Sequence, residues 1–301
     1  MNKPSLFAMA AAASLPALAL AQNPGPERLA AVEIRAERVA DDLYVLFGAG
    51  GNIAVSFGEQ GVLIVDTQFP ELVPKIRAAI RELGGGDIDF AINTHWHYDH
   101  AEGNLRLGPE GVWIISQTES LRRLTIDNVI DPMTRPAFPQ PVYPPAARPI
   151  ATFDTRMQLH FNGQLVELLH LGPGHTAGDA AVIFRDRNAV HMGDLFLPQG
   201  YPFVDVNNGG DIDGLIAFCR GVLAELNEDA VVIPGHGPIA TYADLAHFTE
   251  MLQSVRDRVA ELMAGGATLE QVQAARPTAE WDERYGMPAN FIDRVYTSLS
   301  R

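Results

Sequence analysis

Six consecutive positions carry three imidazoles and a carboxylate: His95, His97 and His100 with Asp99, interleaved with Trp96 and Tyr98. The chain has nine histidines, so this one run holds a third of them. It follows an apolar stretch, Phe90-Ala91-Ile92-Asn93-Thr94, that reads as the end of a buried strand. So many ligand-type side chains at a strand terminus are costly to hold together unless a cation sits among them. Zinc above all takes these donors. In extended backbone, successive side chains alternate sides, so His95 and His97 point the same way and can share one metal. Asp99 continues that side with a shorter reach, and His100 turns away toward a second metal. The pattern H-x-H-x-D-H therefore reads as half of a two-metal site rather than a histidine-rich surface loop.

Three later segments repeat the same logic. His175 lies in the glycine-rich turn Gly172-Pro173-Gly174-His175-Thr176-Ala177-Gly178-Asp179 between two strand patterns. Asp194 ends the strand pattern that leads into His191-Met192-Gly193-Asp194, and His236 sits in Pro234-Gly235-His236-Gly237-Pro238. Each follows an apolar strand and is flanked by glycine, which lets the backbone turn sharply beneath a ligand. Any one of these is a weak signal; together, in this order, they are a strong one.

The elements that must position these groups are legible in outline. Strands are expected at 43–47, 52–57 and 61–66, linked by Gly-rich turns as an antiparallel meander. A helix follows over 71–83, ended by Gly84-Gly85-Gly86. Next come the strand into the histidine run, a strand at 112–115 and a helix over 119–128. Residues 131–149 hold seven prolines. They predict an irregular loop, either crossing the site mouth or merely covering surface. Strand patterns return at 165–169, 180–184, 189–192 and 230–233, and helices at 211–226, 242–264 and 269–275. Strand-rich halves each followed by helices suggest two sheets face to face with helices outside, in one domain over 22–301.

Asp66 after the strand 62–65, the H-x-H-x-D-H run, His175, Asp194 and His236 together resemble the motif set of the metallo-β-lactamase-fold hydrolase superfamily. The resemblance implies an α/β fold, an αβ/βα sandwich with metals at the shared edge of its sheets. It implies two Zn2+ per chain, although manganese or iron occur in relatives. His95, His97 and His175 would hold the first, and Asp99, His100 and His236 the second. Asp194 would bridge them, and Asp66 would orient the ligand loop from behind. Two such cations imply hydrolysis by an activated water, with Asp99 guiding it and carrying a proton and no Ser or Cys nucleophile.

The substrate expected is a small molecule. Opening of β-lactam amides comes first, since the chain looks exported and Trp96 and Tyr98 suit relatives that open small cyclic amides or esters. Asp194 departs from that branch, which commonly has Cys or Ser there. A bridging Asp suits lactonases, thioesterases and phosphodiesterases, so a lactonase or other ester or thioester hydrolase is the alternative. A periplasmic metal-binding protein without catalysis is the third reading. Tyr201, Phe203 and Asn207 are candidate substrate contacts. Phe47 and the glycines through Gly51 are a candidate flap. His170 and His191, on strands, read as core or supporting groups, and His160 and His247 as surface residues.

The formal charge of −15 argues against nucleic acid as a partner. Residues 1–21 have the form of a cleaved secretory signal peptide: Lys3, an apolar run over 6–20, and Ala19-Leu20-Ala21. That run is short for a membrane span, no twin arginine precedes it, and no cysteine follows it for a lipid anchor. A periplasmic protein is therefore expected, with no integral span after cleavage and no protein partner implied. The lone cysteine, Cys219, excludes an internal disulfide and reads as a core residue.

Overall fold

A computed structural model describes residues 25–133 and 136–301. The proposed signal segment lies outside the described residues.

After α1 (Pro26–Ala31), the first sheet opens with an antiparallel run: β1 (Arg35–Ala40), β2 (Leu43–Phe47), β3 (Ile53–Gly58) and β4 (Gly61–Val65). β1 escaped the sequence reading because most of its residues are exposed, so it lacks apolar alternation. α2 (Val73–Glu82) crosses over to β5 (Ile88–Asn93), which pairs parallel with β4. Two four-residue helical turns, α3 (Tyr98–Ala101) and α4 (Asn104–Leu107), lead to β6 (Trp113–Gln117), also parallel. α5 (Thr118–Leu124) is shorter than expected: the Thr125 hydroxyl donates to the Arg122 carbonyl and the chain leaves the helix.

The proline-rich stretch is more regular than its composition suggested. β7 (Asn128–Ile130) pairs antiparallel with β8 (Phe138–Gln140), and Pro139 sits opposite Val129. A two-stranded ribbon is all edge, so a proline there breaks no central ladder. β9 (Ala151–Phe153) then completes the seven-stranded sheet beside β6.

The second sheet holds β10 (Arg156–Phe161), β11 (Gln164–Leu169), β12 (Ala181–Phe184) and β13 (Ala189–His191), all antiparallel. α6 (Ile212–Glu225) crosses over to β14 (Val231–Ile233), parallel to β13, and β15 (Ala240–Thr241) closes the edge. α7 (Tyr242–Ala264) begins at a capping box made by Thr241 and Asp244. α8 (Leu269–Ala274), α9 (Asp282–Tyr285) and α10 (Ala289–Leu299) end the chain. Among the described residues, no helix is long and apolar enough to cross a membrane.

Three apolar clusters separate four layers. Leu43, Ala54, Leu63, Ile92, Val166, Val182 and Ile233 fill the space between the sheets. Ile64, Ile76 and Ile80 pack α2 on the outer face of the first sheet. Val190, Leu215, Phe218, Phe248 and Val255 pack α6 and α7 on the second. This is the αβ/βα sandwich. Leu63 is fully buried, and Leu63→Ala should cost about 2–5 kcal/mol.

Candidate metal centre

The ligand-type residues all emerge where strands end. Asp66 follows β4, His95 follows β5, Asp194 follows β13 and His236 follows β14. These are carboxyl ends of paired parallel strands, where open α/β sheets place their ligands. Register does the positioning. Val65 pairs with Ile92, and the Asp66 amide donates to the Ile92 carbonyl at 2.7 Å. His191 pairs with Ile233, and the Gly235 amide donates to the Gly193 carbonyl at 2.7 Å. The Ala180 amide donates to the Thr94 carbonyl at 2.7 Å and joins the two sheets beside the site. Gly193 must be glycine: its φ is +51°, and a Cβ would meet the Thr94 side chain at 2.7 Å.

All seven expected ligand residues converge. Ligand atoms of His95, His97 and His175 lie within 4.8 Å of one another, as do those of Asp99, His100 and His236. His95 also groups with His100 and Asp194. Asp194 faces both clusters. Its Oδ1 is 3.2 Å from His100 Nε2 and 3.3 Å from His236 Nε2, and its Oδ2 is 3.7 Å from His175 Nε2. The alternation argument holds only in part. The extended backbone stops at His97, and Asp99 and His100 reach the second cluster from the first turn of α3.

The hydrogen bonds fix the ring tautomers of the first cluster. The Phe203 carbonyl can only accept, so His175 Nδ1 carries the hydrogen and Nε2 a lone pair. Asp205 Oδ2 lies 3.0 Å from His97 Nε2, which puts the hydrogen there and the lone pair on Nδ1. The Thr94 hydroxyl donates to Asp66 at 2.8 Å, so its oxygen accepts from His95 Nδ1 at 3.1 Å. His95 Nε2 is then a buried lone pair with no hydrogen-bond partner among the described residues. His97 Nδ1 and His175 Nε2, both lone pairs, face each other at 3.0 Å. Three converging lone pairs in a buried site fit a divalent cation. Burial, reinforced by His100 and the neighbouring rings, keeps His95 well below the usual imidazole range. Burial and His97 take His175 down to about 4, so both stay neutral donors.

The second cluster is charge-rich. Burial opposes charge on His236, yet Asp194 and Asp99 outweigh it and raise the ring to about 9. Burial likewise opposes charge on Asp99, yet His100 and His236 bring it down to about 2. The two carboxylates hold positive charge in place, as a metal pocket must.

Behind the ligands stand groups that orient them. Asp66 accepts from the Thr94 amide at 2.7 Å and binds His100 Nδ1 through Oδ2 at 2.7 Å. Asn52 was not anticipated. Its side-chain amide donates to the Pro234 and Gly237 carbonyls, both at 2.9 Å, and so clamps the His236 turn. Asp205 was not anticipated either, because an isolated Asp in a loop carries no pattern. Burial works against its charge, but the His97 hydrogen bond holds it below the usual carboxylate range. His191 satisfies both ring nitrogens, with the Asn52 carbonyl and the Gly193 amide, and is a core residue. His160 is exposed, and His247 is half-buried against Trp281.

The candidate substrate contacts part company. Phe203 is half-buried, its ring 6.2 Å from that of His97 and 5.8 Å from that of His175. Tyr201 turns away from the cluster: it stacks on Phe291 and donates to Asp282 at 2.9 Å. Asn207 is exposed, and its neighbour Asn208 points inward. Trp96 is wholly buried and Tyr98 nearly so, which makes both core residues. The glycine segment is a wall rather than a swinging flap. The Gly51 amide donates to the Asp99 carbonyl at 3.0 Å, and Gln68 holds the Gly51 carbonyl at 2.6 Å. A Cβ at Gly51 would lie 2.4 Å from the His100 ring.

Comparison with known proteins agrees with this geometry. A family model described as the metallo-beta-lactamase superfamily matches residues 48–236. Hydroxyacylglutathione hydrolase GloC of Haemophilus influenzae is 31% identical over 150 residues, covering 49% of this chain and 68% of that protein. The crystal structure of DIM-1 metallo-beta-lactamase superposes with a TM-score of 0.59 at 21% identity, over 74% of this chain and 98% of that one. The sec-alkylsulfatase Pisa1 from Pseudomonas sp. gives 0.71 at 13% identity, over 88% of this chain and 50% of that one. The two structural likenesses speak to fold alone. With the family match reaching from the glycine wall to His236, the chain belongs to the metallo-β-lactamase superfamily and is a hydrolase of that superfamily.

Proposed function

We propose that this chain is an exported binuclear zinc hydrolase of small acyl substrates, thioesters and esters first and β-lactam amides second. One observation carries the binuclear reading: Asp194 stands between the two clusters, with Oδ1 facing His100 and His236 and Oδ2 facing His175. A pair of divalent cations supplies Lewis-acid polarisation of the scissile carbonyl and acidifies a water. The chain's own groups do the rest. Asp99 stays ionised at neutral pH, which suits it to orient the attacking water and take its proton. Phe203 offers an apolar face beside His97 and His175, against which an acyl group can rest.

Two points favour thioesters and esters. Asp194 stands where the β-lactamase branch commonly has Cys or Ser, and a relative at 31% identity is named a hydroxyacylglutathione hydrolase. The β-lactam reading keeps second place through the leader-like residues 1–21, which would carry the site to the compartment where such substrates act. It loses the support of Trp96 and Tyr98, which are core residues.

Metal content by emission spectroscopy and a substrate panel test the proposal together. The panel holds an S-hydroxyacyl thioester, an aryl ester, an acyl-homoserine lactone and a chromogenic cephalosporin. Two zinc equivalents and highest kcat/KM on the thioester or ester are expected. Cephalosporin turnover with inert esters would reverse the order. Metal bound with no hydrolysis of any kind would leave a binding protein.

A further inference from the structure

The β7–β8 ribbon reaches the first cluster by two routes. On one side, the buried Asn208 side-chain amide donates to the Val129 carbonyl at 2.9 Å and to Asp205 Oδ2 at 2.7 Å. That same carboxylate oxygen lies 3.0 Å from His97 Nε2. Asn208 Oδ1 accepts from Arg123 Nη1 at 3.1 Å, and the Arg123 carbonyl accepts from Asn128 in β7 at 2.6 Å. On the other side, the buried Gln140 amide of β8 donates to the Trp96 carbonyl at 2.7 Å, one residue before His97. Before the turn, Asn290 of α10 donates to the Pro132 carbonyl at 2.8 Å.

We propose that this proline-rich ribbon is a brace for His97, with Asn208 and Gln140 as its positioning residues. The inference rests on the reading that His97 holds a metal. A carboxylate bonded to an imidazole alone can pivot about its own side chain. Asn208 removes that freedom, because its amide ties Asp205 Oδ2 to a backbone carbonyl. Gln140 fixes the backbone on which the ring is carried. The prolines restrict the unfolded chain as well, so less conformational entropy opposes holding the ribbon in place. Asn208 suits its position chemically: one end donates to a carboxylate and a carbonyl while the other accepts from a guanidinium.

The test uses metal-stripped full-length protein titrated with Zn2+ against a chromophoric chelator, and with Co2+ read by its visible absorption. Asn208→Leu and Gln140→Leu should each weaken one of two metal equivalents by about 10–100-fold and shift that equivalent's Co2+ band. The other equivalent should stay close to wild type, a split that general loosening of the fold would not give. Should a leucine variant not fold, Arg123→Ala leaves both amides in place and should weaken the same equivalent by a smaller factor. Unchanged affinities for both equivalents in folded variants would overturn the brace. Wild-type protein that takes up no metal would overturn the metal reading itself.

Discussion

Asp66 Oδ2 lies 2.7 Å from His100 Nδ1 with both side chains closed to solvent, and the same carboxylate accepts the amide and hydroxyl of Thr94. One residue thus orients a ring of the second cluster and the backbone that launches the first. Asp66 has φ of +68°, a region that Asn also tolerates. Asp66→Asn therefore tests the carboxylate without backbone strain. It should cost about 3–5 kcal/mol, because buried donors lose their acceptor. Denaturant unfolding measures this, and zinc titration should show weakened binding at the cluster that contains His100.

Metal removal should expose how much the cation contributes. With zinc chelated, the lone pairs of His97 and His175 at 3.0 Å have nothing between them. The unfolding temperature should drop by many degrees and return on adding back zinc. A melt recorded with and without chelator decides it, since a ligand at 100 times its Kd stabilises by about 2.7 kcal/mol.

Asp194→Ser should uncouple the clusters. Serine cannot present two charged oxygens, so bound metal should fall from two equivalents toward one and kcat should fall steeply. Emission spectroscopy after dialysis reads the first and steady-state assay the second. Two retained equivalents would show that Asp194 does not bridge.

Asp179 gives a pH signature from the turn that carries His175. It accepts from the Thr176 amide and hydroxyl at 2.8 and 2.7 Å, and burial pushes it up to about 7. A carboxyl raised in the folded state is stabilising while protonated. Its contribution is full below the unfolded value of 3.8 and is lost as pH rises through about 7. Asp179→Asn should flatten the decline in stability between about pH 4 and 7 relative to wild type, as denaturation midpoints across that range would show.

Cys219 should be silent. It is fully buried on α6, with its thiol pushed up to about 12 by burial. A disulfide reagent should label it only after unfolding, and Cys219→Ser should leave kcat/KM unchanged.

The residues that converge at the candidate site were legible because they rest on local pattern: donor types after apolar strands, flanked by glycine. The meander was legible for the same reason, with β2 at the expected residues and α7 matching from Tyr242 to Ala264. What failed depends on distant chain. β1 is an exposed strand recognised only by its partner β2. The ribbon at 128–140 forms despite its prolines because its outer edge needs no donors. Asn52, Asp205 and Asn208 act through hydrogen bonds to chain distant in sequence, and no spacing announces such contacts. Tyr201 looked suited to a pocket by type, but its ring is claimed by Phe291 and Tyr285.

His97 and His175 are 78 positions apart, and His100 and His236 are 136 apart. The first of each pair belongs to the half built on one sheet, and the second to the other half. A cation in either cluster therefore closes a long loop between halves of a chain with one cysteine, and so no disulfide to do the same. Loop-closure entropy grows with length, so such a cross-link acts on the unfolded chain as much as on the native one. On the proposed binuclear reading the site would also be a fastener, with metal supply governing whether the two halves stay joined as well as whether turnover occurs.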